Sequence, residues 1–166
     1  MSHALIVFRH SKSDWSADQP GSDLDRPLAK RGRKAAKLAG RFLFDAGAVP
    51  DSVICSPAVR SRATLALASE AREWSSSVRE SDALYDGGVQ GLIAEVREES
   101  ESTQLLMVVG HEPTCSETIS FLIGGGRVRM PTAALARVEL LVNAWGEVGP
   151  GTGVLSWLVV PRLIEP

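Results

Sequence analysis

Residues 4–8, Ala-Leu-Ile-Val-Phe, run apolar without alternation and end at Arg9-His10. An unbroken apolar run of this length predicts a strand over 4–9 that is buried on both faces. After a polar stretch over 11–26, Ala35, Leu38, Ala39, Phe42 and Leu43 recur at helical spacing, and Gly47 offers a left-handed stop. Residues 52–55 predict a second strand. Ser56-Pro57 then supplies a helix-capping residue and a first-turn proline, predicting a helix to about Arg72. Val89, Leu92, Ile93 and Val96 predict a third helix, which runs out in the acidic, serine-rich stretch 98–102. Residues 105–109 form the clearest strand and end at Gly110-His111. Pro113 opens a further helix carrying Cys115, Ile119, Leu122 and Ile123 before Gly124-Gly125-Gly126. The tail differs: 135–142 and 154–160 are strand-like around a glycine-rich turn, which predicts an antiparallel hairpin at a sheet edge.

Short apolar strands alternating with helices define an α/β fold with a largely parallel sheet. No internal repeat or linker divides the 166 residues, so a single domain over 1–166 is expected, and 44% hydrophobic content is enough for one core. Eighteen Lys and Arg against 20 Asp and Glu leave a net charge of -2, which argues against a nucleic-acid partner held by bulk electrostatics. The longest apolar runs are five residues, against the roughly 20 that span a bilayer, so no membrane partner is expected. The start of the chain lacks a basic leader and a cleavage motif, from which a cytoplasmic location is expected. Two cysteines, Cys55 and Cys115, suit reduced thiols rather than a disulfide or zinc framework.

Ligand crevices in open α/β sheets lie beyond the carboxyl ends of the strands. Arg9-His10, Ser56-Pro57 with Arg60, and Gly110-His111 all follow strands of this kind, and parallel strands would bring them together. Of the three histidines, His3 reads as merely terminal. Each of the other two alone is best explained as a hydrogen-bonded structural residue. Two guanidiniums beside two imidazoles, however, make a compact cationic pocket suited to a tetrahedral phosphoryl dianion. An unprotonated imidazole can take a phosphoryl group covalently, and neighbouring arginines disfavour its protonation, which makes His10 a candidate nucleophile. Arg9, Arg60 and His111 would neutralise the developing charge without a metal or other cofactor.

Phe8-Arg9-His10-Ser11 resembles the Arg-His signature of the histidine phosphatase superfamily, also called phosphoglycerate mutase-like. The similarity continues in order through Arg26-Pro27-Leu28, Gly32-Arg33, Ser56-Pro57-Ala58-Val59-Arg60-Ser61-Arg62-Ala63-Thr64 and Val109-Gly110-His111-Glu112-Pro113. The short chain, lacking a long helical insertion, and Lys12-Ser13-Asp14-Trp15 resemble the small branch named for the SixA phosphohistidine phosphatase. The resemblance implies a three-layer α/β/α sandwich. It also implies His10 as the phosphorylated nucleophile, Arg9 and Arg60 as phosphate ligands, and His111 as a hydrogen-bonding partner of the phosphoryl group. The expected substrates are a phosphorylated protein, in particular protein phosphohistidine, or a small phosphorylated metabolite. A mutase and a non-catalytic phosphate-recognition module are the other readings.

Two positions depart from the family pattern. Ser11 stands where glycine is frequent, adding a hydroxyl near the phosphate, and Ala29 stands where many members have threonine, so a helix-capping hydroxyl is missing. By the resemblance the general acid is a carboxylate before the third helix. Glu80, Asp82 and Asp86 qualify, with Asp86 slightly preferred and His111 as the substitute. Lys30-Arg31-Gly32-Arg33-Lys34 reads as a solvated helix face. Arg127 and Arg129 could rim the pocket or simply belong to a helix-to-strand loop. Cys115 reads as packing, and Trp145 and Trp157 as packing of the edge hairpin. Neither G-x-G-x-x-G nor G-x-x-x-x-G-K-[ST] occurs, so nucleotide-loop readings have no support.

Overall fold

The structure, a computed structural model, describes residues 2–16 and 21–165. β1 (His3–Arg9), β2 (Ser52–Cys55), β3 (Ser77–Glu80), β4 (Leu105–Gly110), β5 (Leu135–Leu140) and β6 (Gly153–Val159) form one sheet in the order β3-β2-β4-β1-β5-β6. The pairs joining β1 to β4 are parallel, while β5 pairs antiparallel with both β1 and β6. The expected parallel sheet with an antiparallel edge pair is therefore present.

The central strands bury both faces. Ile6, Phe8, Val53, Met107 and Val109 pack against Ala39 and Leu43 of α1 (Lys30–Asp45) and Leu65 and Ala68 of α2 (Val59–Glu70). Leu5, Val7, Ile54, Leu106 and Val108 face Leu92, Ile93 and Val96 of α4 (Gly88–Arg97) and Ile119 and Leu122 of α5 (Thr114–Leu122). This two-sided burial makes three layers and accounts for the unalternated apolar runs. The helix of the first layer seats closely: a Cβ on Gly40 would come within 2.0 Å of the Ala68 carbonyl oxygen, so only glycine allows α1 to meet α2 there.

Several expectations are corrected. α2 starts at Val59 with Ala58 as its N-cap, two residues later than Ser56-Pro57 suggested; Ser56 is instead drawn away by a neighbouring side chain, as described below. A short strand, β3, and a one-turn helix, α3 (Ala83–Asp86), occupy the stretch between the second and third predicted helices, where the sequence pattern predicts no element. The chain between β5 and β6 is no simple glycine turn. It contains a 3-10 turn, Trp145–Glu147, whose indole is fully buried in the core and donates to the Thr103 carbonyl at 3.0 Å. Trp157 does pack at the edge pair, edge-on to Phe42. His3 is structural rather than terminal: it is buried, its ring nitrogens lie 3.2 Å from Thr103 O and 3.3 Å from Asn143 O, and its ring tilts against Trp145. Among the described residues no helix is long and apolar enough to cross a membrane.

Candidate active site

Parallel register brings the strand ends together. Arg9 is level with Gly110, and Cys55 with Val109. One residue further on, the His10 amide donates to Gly110 O and the Ser56 amide to Val109 O, each at 3.0 Å. His10, Ser56 and His111 thus leave the sheet side by side. The rings of His10 and His111 lie 5.0 Å apart between centroids.

The hydrogen bonds fix both tautomers. His10 Nδ1 lies 2.7 Å from Ser11 O. A carbonyl oxygen can only accept, so Nδ1 carries the proton and Nε2 keeps its lone pair. Burial, and then the charges of His111, Arg60 and Arg9, hold the His10 pKa down at about 3 despite the opposing bond to Ser11. His10 is a neutral imidazole with a free nucleophilic nitrogen at any physiological pH. His111 Nδ1 lies 3.2 Å from Arg60 Nη2, which can only donate, so the His111 proton sits on Nε2 and is directed at Ser56 Oγ, 2.7 Å away. Burial and Arg60 lower the His111 pKa to about 4.

Arg60 lies in the first turn of α2 and is 4% exposed. Its guanidinium donates to Asp23 O at 2.7 Å and Asp23 Oδ2 at 2.9 Å. Arg9 donates from Nη1 to Met130 O at 2.8 Å. Arg9 Nε, Arg60 Nε and Ser11 Oγ are buried with no partner among the described residues. Buried donors of this kind are normally satisfied; Arg9 and Ser11 flank His10 in the chain, and Arg60 contacts His111. Ser11 is held in place by its amide, which donates to Thr64 Oγ1 at 2.9 Å, while Thr64 donates back to Arg60 O at 2.7 Å. The Arg-His loop and the α2 arginine are thereby one hydrogen-bonded unit.

Two residues of this unit, Asp23 and Tyr85, escaped the sequence reading, and the roles of two more, Ser56 and Thr64, were not legible in it. Asp23, in the 3-10 turn Asp23–Asp25, receives Arg60, Arg26 and the Tyr85 hydroxyl. Hydrogen bonding from Arg26, with smaller help from Tyr85 and Arg60, holds its carboxyl well below the usual carboxylate range. Asp23 is therefore an anchor for Arg60 and no proton donor. Tyr85 stands edge-on to His111 at 5.5 Å. Ser56 and Thr64 lay inside a quoted motif, but only partner geometry shows what they do. The only sequence signal for Asp23 was its place three residues before Arg26-Pro27-Leu28.

None of the carboxylates considered as acids is hydrogen-bonded to either imidazole among the described residues, although Tyr85, next to Asp86, stands against His111. Glu80 ends the exposed strand β3 and pairs with Arg62 at 2.6 Å. Asp82, the N-cap of α3, and Asp86, its last residue, are exposed, with no hydrogen bond to either imidazole among the described residues. Arg129 and Arg127 are both exposed in the segment between α5 and β5; Arg129 lines a groove with Arg9, whereas Arg127 does not. The thiol of Cys115 is fully buried and its pKa is raised by that burial. Among the described residues no group of three or more His, Cys, Asp or Glu could hold a metal.

An α/β sheet whose strand ends present two neutral imidazoles and two guanidiniums defines a phosphoryl-binding enzyme site. The chain belongs to the histidine phosphatase superfamily (branch 1), whose model matches residues 5–114. An uncharacterised protein of Mycobacterium tuberculosis (strain ATCC 25618 / H37Rv) is 34% identical over 93% of this chain and 100% of its own length. The provisionally named phosphohistidine phosphatase SixA from Nakamurella multipartitia superposes with a TM-score of 0.83 at 29% identity, covering 96% of both chains. The protein histidine phosphatase SixA in complex with tungstate shares the fold with a TM-score of 0.83, at 24% identity over 98% of this chain and 99% of that one. The chain is accordingly an enzyme of the histidine phosphatase superfamily with the SixA-like fold.

Proposed function

We propose that this protein is a metal-independent phosphatase working through a phosphohistidine at His10, with protein phosphohistidine as its substrate. The observation that carries this reading is the bond from His10 Nδ1 to Ser11 O, which leaves Nε2 unprotonated inside a cationic pocket. Nε2 attacks phosphorus, a P–N bond forms, and the bond from phosphorus to the leaving group breaks. Water then attacks phosphorus, the P–N bond breaks, and inorganic phosphate leaves with His10 restored. In this reading the unpartnered buried donors of Arg9, Arg60 and Ser11 bind the charge on the transferring oxygens.

His111 takes the acid role in this reading. The phosphoryl dianion draws on Arg60 and raises the pKa of the adjacent imidazole, so that Nδ1 gains a proton while Nε2 stays bonded to Ser56. Nδ1 then gives its proton to the leaving imidazole nitrogen or alkoxide. The likeness to proteins named for phosphohistidine hydrolysis supports the substrate class.

The test is turnover, in chelator, of a phosphohistidine peptide and p-nitrophenyl phosphate by wild type, His10→Ala and Asp86→Asn. Wild type cleaves the peptide faster than the ester, Asp86→Asn stays within about threefold of wild type, and His10→Ala loses at least about 10³-fold. Wild-type rates in His10→Ala would overturn the mechanism. Faster hydrolysis of small phosphate esters than of the peptide would make it a metabolite phosphatase, and phosphate binding without turnover of either substrate would make it a recognition module.

A further inference from the structure

Beyond Arg9 the surface opens into a groove of about 780 Å³, lined by Arg9, Lys12, Arg31, Arg129 and Arg162 together with one carboxylate, Glu112. Glu112 is engaged elsewhere: its two oxygens accept from the Ser116 amide at 2.7 Å and the Ser116 hydroxyl at 2.8 Å. Lys12, Arg31, Arg129 and Arg162 have no ion-pair partner among the described residues, whereas Arg26, Arg60, Arg62, Arg79 and Arg137 all do. Five cations gathered in one hollow run against the net charge of -2 and raise the local positive potential.

The groove continues into a second hollow of about 360 Å³ that shares Lys12, Arg31 and Arg162, has an apolar floor of Ala35, Leu38, Val160 and Pro161, and carries one carboxylate, Glu165, already ion-paired to Lys34. The sequence of surfaces is therefore phosphoryl pocket, cationic trough, then apolar floor with a cationic rim. A compact metabolite needs the first two and has nothing to lay on the third. An extended chain, at about 3.3 Å per residue, reaches all three, placing carboxylates on the rim and aliphatic carbons on the floor.

We propose that this groove docks an acidic segment of the substrate protein flanking its phosphohistidine. The proposal rests on the phosphatase reading above and adds the chemistry of the partner. Arg9 belongs to both surfaces and sets the register between the phosphorylated residue and the acidic positions. Exposed charge of this kind acts mainly on encounter and KM and weakens with salt.

The experiment compares phosphohistidine peptides of equal length whose flanks carry Glu and Leu, Ser and Leu, or Lys and Leu. Each is tested with wild type, Arg31→Glu/Arg162→Glu and Arg31→Lys/Arg162→Lys, with p-nitrophenyl phosphate alongside. Arg31 and Arg162 are exposed, so the replacements leave the core alone. Wild type favours the acidic over the basic peptide by about tenfold in kcat/KM, mostly through KM, and the preference shrinks between about 50 and 500 mM salt. The glutamate pair loses it, the lysine pair retains it, and ester turnover is unchanged in both. Equal use of all three peptides by wild type, or a preference that survives in the glutamate pair, overturns the docking proposal while leaving the phosphatase intact. Fructose 1,6-bisphosphate cleaved faster than fructose 6-phosphate by wild type but not by the glutamate pair would also overturn it, assigning the groove to small polyanions. Loss of all turnover, or His10-independent turnover, would be a failure of the phosphatase reading itself.

Discussion

At the scale of single residues, the site is built by forcing two imidazoles to stay neutral. An imidazole ordinarily titrates at 6.5, yet burial takes His10 to about 3 and His111 to about 4. The nucleophile therefore does not have to lose a proton between pH 7 and 5. For p-nitrophenyl phosphate, whose nitrophenolate leaves without a proton from His111, kcat/KM corrected for the ionisation of the substrate stays level from pH 7 to about 5. A pH–rate series checks this. A fall centred near 6.5 would mean that His10 titrates like an exposed imidazole, and would remove the ground for its readiness as nucleophile. The four principal residues were legible because each abruptly ends an apolar run or sits in the first turn after one. Asp23 was not, because its meaning lies in Arg60, which is remote in sequence. An aspartate among other polar residues carries no sign of the guanidinium it will meet. His3 was misread for the same reason, since burial against Trp145 and Thr103 is a tertiary fact.

At the scale of elements, strands with two buried faces were legible almost to the residue, and those with none were invisible. β2 carries four buried residues and matches its expected bounds, whereas β3 is an edge strand exposed throughout, paired to β2 and tied by surface ion pairs to Arg62 and Glu95. Helix starts were less legible, because capping residues have competing uses. Ser56 had the composition of a cap, but its hydroxyl is taken by His111 as well as by the Ala58 amide. The missing cap at α1 is borne out: Ala29 is the N-cap residue, extended at φ -69 and ψ 160, with no side-chain bond to the helix. Ala29→Ser restores an acceptor for the first-turn amides and raises stability by about 1 kcal/mol, read as the shift of a urea midpoint at unchanged slope. Gly32 lies in the first turn of the same helix. A Cβ there would stand 2.1 Å from the Lys12 carbonyl oxygen, which itself receives the Ala29 amide at 2.9 Å. Gly32→Ala must push the helix away from the loop that follows His10. It costs about 1–3 kcal/mol and lowers turnover as well, whereas an unchanged kcat in the folded variant would show that the loop is not positioned by α1.

At the scale of the whole molecule, the parallel register converts residues far apart in sequence into one cationic pocket, and that pocket charges a toll on stability at low pH. In the unfolded chain His10 and His111 take up protons near 6.5, while in the folded chain they do so only near 3 and 4. The unfolded state thus binds more protons throughout that window. The stability contributed by keeping the two rings neutral is complete above about pH 6.5 and is lost as pH falls toward 4, with a slope of at most about 1.4 kcal/mol per pH unit for each ring. Denaturant titrations at pH 7.5, 6, 5 and 4.5 measure the slope, and His10→Gln removes one ring's share of it. An oxyanion in the pocket changes the sign of the local field at His111, raising its folded-state pKa toward the unfolded value and flattening the slope. Tungstate at saturating concentration therefore stabilises the protein more at pH 5 than at pH 7.5. Equal stabilisation at both values would mean that the anion binds without bringing a proton to His111, and the acid role proposed for that imidazole would fall.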